Sequence, residues 1–214
     1  MKKIDLKKKW KHLYVPSARK PAIVDVPRLK FLMIDGAIEK GKEPANSPGF
    51  AEAIGAMYGM AYTLKFFCKL REKNPIDYPV MALEGLWWVE KGAFDLSVKD
   101  NWLYTLMILV PEEITPTDFK DAREQLRKKR GPSDALDRVR LDHFKEGRCV
   151  QMMHIGSYAS EPATIQKMRE FAKEQGYRDQ IGAERKHHEI YMGDPRRAKP
   201  DKLKTVVRHP VTKA

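Results

Sequence analysis

The chain has 214 residues, 33% of them charged, with 41 Lys and Arg against 29 Asp and Glu, for a formal net charge of +12. That length buries a real core without covalent support, and Cys68 and Cys149 lie far apart with no CxxC or Cys/His spacing, so neither a disulfide framework nor a zinc site is indicated. The longest apolar run, residues 104–111, is too short to cross a bilayer and the amino terminus MKKIDLKKKWKHLY lacks the apolar segment of a signal peptide, so a soluble cytoplasmic protein with no membrane contact is expected.

Residues 1–28 are Lys-rich and interrupted by Pro16, Pro21 and Pro27, which predicts a basic arm anchored by Trp10, Tyr14, Ile23 and Val26. Residues 29–35 (LKFLMID) end at Gly36 and suit a buried strand. Ser47 and Pro48 match a helix cap and first position, and apolar residues at three- and four-residue spacing extend that helix to about Arg71. Residues 80–90 and 102–110 read as two strands. Thr115-Pro116-Thr117-Asp118 starts a linker helix over about 115–130. Beyond Gly131-Pro132, two strands are expected at 138–144 and 148–155 around Glu146-Gly147, then a helix from Ser160 to Gly176. Strands at 187–192 and 204–208 close the set.

The order β-α-β-β therefore occurs twice, in about 29–111 and 138–211, with FLMIDG answering MMHIG and LEGLWW answering HEIYMG. This predicts an α+β domain over 29–214, made of tandem duplicated β-α-β-β units that form an antiparallel sheet with helices on one face and a central ligand cleft. The alignment sets Glu84 against Glu189.

The run HEIYMGDPRRAKPDKLKTVVRHPV resembles the terminal signature of the GyrI-like small-molecule-binding family, related to gyrase-inhibitory proteins and to effector domains of multidrug-sensing regulators. The resemblance spans nearly the whole chain from Leu29 to Val211. It implies a hydrophobic or aromatic small-molecule ligand, with Glu189 at the floor of the cavity, and DNA gyrase as a candidate partner. It also implies, from stand-alone members, hydrolysis of cyclopropanoid DNA-alkylating compounds by water addition, with a non-catalytic sequestering or partner-binding protein as the alternative.

Two carboxylates in an aromatic pocket have their charged forms disfavoured by burial and by each other, which suits an acid and base pair. Glu189 and Glu84 are the candidates for that pair. Trp87, Trp88, Tyr58, Tyr104 and Tyr191 are candidate ligand contacts, because flat rings stack on planar ligands, and His154, His187 and His188 are candidate helpers. No cofactor is called for: the histidines lack a firm metal-ligand spacing, Ser157 has no G-x-S-x-G turn, and no phosphate-binding glycine loop occurs. The basic runs at 2–11, 127–130 and 196–204 come without a helix-turn-helix, finger or RNP motif and read as solvated surface, so nucleic acid is not expected as a partner.

Overall fold

The computed structural model describes residues 1–214 apart from 93, 97, 99–100, 182–184 and 196. The third basic run thus begins on a residue outside those described. Among the described residues no helix is long and apolar enough to cross a membrane.

In chain order the elements are β1 (Lys2–Lys3), α1 (Leu6–Lys9), α2 (Lys11–Tyr14), β2 (Ala22–Ala37), α3 (Pro48–Leu70), β3 (Ile76–Asp77), β4 (Leu83–Trp88), β5 (Leu103–Leu109), α4 (Pro116–Arg130), α5 (Asp134–Arg138), β6 (Arg140–Ile155), α6 (Glu161–Glu174), β7 (Tyr177–Asp179), β8 (His187–Tyr191) and β9 (Lys204–Lys213). The helix starts obey local chemistry. Ser47 accepts from the Phe50 N–H to cap α3, and Thr115 and Asp118 form a reciprocal capping box on α4.

The larger sheet runs β6-β2-β5-β4-β8-β9-β7, and a further β6–β9 pairing closes its first six strands into an antiparallel barrel. Closure removes the exposed edges and gives the sheet an inside and an outside. The α+β class is as expected, but the hollow lies at one mouth of this barrel. The two halves meet in a continuous β4–β8 ladder of five residue pairs, so the sheet itself leaves no open cleft between them. On the outside, α3 covers one half with Phe50 against Trp87 and Tyr104, and α6 covers the other with Ile165 and Met168 packed among Val150, Met152 and Val207.

Two expected boundaries change for one reason. β2 starts at Ala22, inside the predicted arm, and the two strands expected on either side of Glu146-Gly147 form the single strand β6. Across their ladder every pair from Ala22↔Gln151 to Met33↔Arg140 is made except Pro27 with Glu146. Proline has no N–H to give, and Gly147 sits at φ 77°, a conformation that favours glycine. The ribbon kinks there and swaps which alternate residues face the barrel interior: Val24 and Val26 before the kink, Leu29, Phe31 and Met33 after it. On β6 the same kink turns the Glu146 side chain inward, where it meets groups of β8 and β9.

The arm is structured rather than draped. β1 pairs with β3, and α1 and α2 bury Leu6, Leu13 and Tyr14 as a stopper at one end of the barrel.

Candidate functional site: two clusters back to back on the central strands

β4 and β8 place Glu84, Leu86 and Trp88 with His188 and Ile190 on the barrel interior, and Gly85 and Trp87 with His187, Glu189 and Tyr191 on the outer, helix-covered face. The ladder pairs Glu189 with Gly85, and Glu84 with Ile190. Glu84 and Glu189 therefore lie on opposite faces and form no acid and base pair. The sequence alignment that matched them is one residue out of step, and in a strand one residue is the difference between the two faces.

On the outer face, Glu189 is 6% exposed and fully engaged. Its Oε2 accepts the Tyr191 hydroxyl at 2.6 Å, and that hydroxyl oxygen accepts the Trp87 Nε1–H at 2.9 Å. Its Oε1 lies 3.0 Å from His187 Nε2. From His187 Nδ1 the chain continues 2.8 Å to His209 Nε2, then 2.9 Å from His209 Nδ1 to Asp179, which also accepts from Arg169 at 2.9 Å. Direction follows from donor counting. If the Asp179 carboxylate takes the Nδ1 proton of a neutral His209, then His209 Nε2 must accept from His187 Nδ1, leaving a lone pair on His187 Nε2. The His187–Glu189 link then holds only if one proton is shared across it. A buried acid–imidazole pair is thus set to move one proton along a fixed line.

The electrostatics agree with this ordering. Burial works to raise the Glu189 carboxyl, but bonds from His187 and Tyr191 outweigh it and bring the group below its ordinary value. Burial, with the Glu189 charge beside it, pushes Tyr191 well above the usual phenol range. Burial lowers His209 to about 4, so that ring stays neutral. Glu161, the first residue of α6, reaches the same place and bonds to Glu189. Glu161, His187 and Glu189 each offer a ligand atom within 4.8 Å of the others, a spacing that a divalent cation can bridge, although the hydrogen bonds of His187 and Glu189 do not depend on one.

Aromatic rings wall this cluster. Phe94 stacks on His187 with centroids 5.3 Å apart and meets Trp102 at 4.8 Å; Trp102 meets Trp87 at 5.2 Å, and Tyr158 stands edge-on to Tyr191 at 6.2 Å. Gly85 is the reason the centre fits. A Cβ there would stand 2.7 Å from Trp87 Nε1 and 3.0 Å from the Tyr191 hydroxyl, so only glycine leaves their bond intact beside Glu189.

The interior cluster is different in kind. Glu84 accepts a short hydrogen bond from the Tyr14 hydroxyl of the stopper and lies 3.0 Å from His188 Nε2. His188 Nδ1 is 3.0 Å from both oxygens of Glu146, and Glu146 accepts from Arg208 Nη1 at 3.0 Å. Arg208 donates its other groups to Gln151 and to the Leu13 carbonyl. Against burial, which would favour the neutral imidazole, the Glu146 charge and the bonds from both carboxylates raise His188 to about 9. Burial opposes the Glu146 charge too, yet His188 and Arg208 bring that acid down to about 2. Two carboxylates thus balance two cations with every partner named, and the middle of the barrel is filled rather than vacant.

The other predicted residues scatter. Trp87 faces outward in the Glu189 cluster and Trp88 inward at the barrel mouth, which settles a division that the alternation left open. Tyr191 touches Glu189. Tyr104 faces outward against Phe50 and over Gly36, where a Cβ would come within 2.3 Å of its ring. Tyr58 lies with Tyr62 on the outer surface of α3, in a groove against α4. His154 turns away to Thr164, Ser157 and Ser160. Sequence reasoning missed Glu146, Gln151, Asp179, Arg208 and His209 as site residues. Arg208 and His209 did carry a signal, since TVVRHPV sets a cation and an imidazole inside a β-branched run.

Residues 19–212 match the family model described as a GyrI-like small molecule binding domain. A conserved protein from Listeria innocua, described as uncharacterised, is 42% identical, with a TM-score of 0.88 over 98% of this chain and 100% of its own. A protein described as a hydrolase from the same organism is 38% identical, with a TM-score of 0.83 over 98% of this chain and 100% of its own. The EcmrR C-terminal domain, at 10% identity and a TM-score of 0.53 over 91% of this chain and 98% of its own, shares the fold alone. No curated protein matches.

Proposed function

Because the chain belongs to the GyrI-like small-molecule-binding family, we propose that it binds a flat hydrophobic molecule against the aromatic wall over Glu189 and hydrolyses it by adding water. The substrate class that fits is an electrophile of the cyclopropanoid kind, whose strained ring needs only positioning and one proton transfer. The observation that carries this reading is the His187–Glu189–Tyr191 arrangement: a buried carboxylate gripped by an imidazole and a phenol among Trp87, Trp102 and Phe94. Similarity over the full chain to a protein described as a hydrolase points the same way.

In this mechanism Glu189 takes a proton from water as its oxygen bonds to the ring carbon. The ring C–C bond breaks, and its electron pair moves onto the conjugated oxygen of the substrate. Tyr191, held protonated, donates to that oxygen and is restored by the proton that Glu189 took from water, which crosses the hydrogen bond between them, so that both groups end as they began. Glu84 has no part in this step. It anchors the stopper from the other face.

The test is turnover of a cyclopropanoid compound followed by mass. Hydrated product in excess over protein is expected, and Glu189→Gln should cut the rate by about 10²- to 10⁴-fold while the fold is kept. Unchanged turnover in that variant removes Glu189 from the mechanism. Stoichiometric retention of intact compound would instead establish a sequestering protein, a reading favoured by the fact that both oxygens of Glu189 already have partners. Inhibition of DNA gyrase by the ligand-free protein would support the partner-binding alternative.

A further inference from the structure

Opposite the Tyr14 stopper, the mouth of the barrel holds a cavity of about 440 Å³, on the reverse side of the sheet from Glu189. That volume suits a small organic molecule. Its apolar walls include Leu86, Phe144 and the face of Trp88, and its charged lining includes Lys145, Arg185 and Lys186. The acids in the lining are already committed. Asp35 accepts from Arg140 at 2.7 Å and from Thr105 at 2.7 Å, and the Glu146 side chain is bound to His188 and Arg208 beneath the floor. Among the described residues, neither Lys145 nor Lys186 has a carboxylate within ion-pair distance, and Arg185 is tied only to the Glu146 carbonyl, at 2.9 Å. Instead, the Lys186 ammonium rests 3.2 Å above the Trp88 ring centre. A half-buried cation that feels Asp35 only from beyond ion-pair distance, held on a flat ring, has positive charge and stacking surface side by side.

We infer that this cavity is a second ligand site, distinct from the Glu189 cluster, which takes a planar aromatic anion: the ring lies along Trp88, Leu86 and Phe144, and a carboxylate or similar group meets Lys186 and Lys145. The arrangement discriminates by charge. A cation of the same shape would face three basic side chains with both lining acids already occupied.

The experiment is calorimetric titration of the full chain with 2-naphthoate and, separately, with 2-naphthylmethylammonium, which offers the same ring with the opposite charge. Saturable binding of the naphthoate is expected, with the cation at least about tenfold weaker, a difference of about 1.4 kcal/mol. Lys186→Ala and Lys145→Ala, both on the rim, should each weaken naphthoate by about three- to tenfold, and Glu189→Gln should leave its affinity unchanged. The inference is overturned if the two probes bind alike, if neither lysine variant changes affinity, or if naphthoate shows no saturable binding below about 1 mM. Weakening by Glu189→Gln would also overturn it, by placing the probe on the opposite face. Loss of turnover in Glu189→Gln with naphthoate binding intact keeps the fate of this site separate from that of the proposed hydrolysis.

Discussion

The two faces of the β4–β8 pair carry similar residue types and put them to opposite uses. On the interior, Glu84, Glu146, His188 and Arg208 form a charge-balanced lattice that joins four strands of the barrel and holds the amino-terminal stopper through Tyr14 and the Leu13 carbonyl. On the exterior, Glu189, His187 and Tyr191 form a line with a direction, one end on an indole N–H and the other on an aspartate that pairs with a surface arginine. A closed lattice resists change in any one member. A line transmits it. The difference teaches that a buried glutamate beside a histidine says little by itself; whether its protons have somewhere to go decides whether it supports the fold or does chemistry.

The comparison breaks most visibly at Arg208. Replacing it with Met strands Glu146 without its arginine and leaves the Leu13 carbonyl and the Gln151 Oε1 unbonded, so urea unfolding should show a loss of about 3–5 kcal/mol. A smaller effect is expected from Gly85→Ala, whose methyl group would collide with Trp87 Nε1 and the Tyr191 hydroxyl. The cost should be about 1–3 kcal/mol by the same measurement, with lost turnover that outruns the lost stability. Tyr191→Phe removes one hydrogen bond from Glu189 and should cost about 1 kcal/mol while lowering the rate at saturating substrate. Equal losses of stability from Arg208→Met and Tyr191→Phe would erase the contrast between lattice and line.

The pH dependence sharpens the contrast most gently. His188 is raised from 6.5 to about 9, so its contribution is complete below 6.5 and fades as pH rises through about 9. Glu146 is lowered from 4.5 to about 2, so its contribution is complete above 4.5 and fades as pH falls through about 2. The interior lattice is therefore at full strength between about pH 4.5 and 6.5. On the other face, His209 is lowered from 6.5 to about 4, so its contribution is complete above 6.5 and fades as pH falls through about 4. Melting temperatures measured from pH 4 to 9 should thus fall at the alkaline end in the native chain, and that fall should shrink in His188→Gln.

Much of the fold was legible because it rests on local rules. Ser47-Pro48 and Thr115-Pro116 each set a capping side chain beside a proline suited to the first helical position, and the apolar runs at 29–35 and 102–110 fall in strands as their pattern suggests. The family was legible from the closing signature. The site was legible only in part. Glu189, Tyr191 and Trp87 do share a face, but pairing Glu84 with Glu189 required a register that letters cannot fix, since a slip of one residue exchanges the faces. Glu146 was hidden for a related reason: Glu-Gly reads as a turn, and nothing near it in sequence announces that Pro27 stands opposite and converts the turn into a kink within one long strand.

That ladder between β2 and β6 also governs the order of events during synthesis. Its partners are more than one hundred positions apart, so the ring of strands cannot close until most of the chain has left the ribosome. Until then the amino-terminal half holds Tyr14 and Glu84 with neither His188 nor Arg208 to meet them, and it must wait, soluble by virtue of its lysines, for the half that neutralises its centre.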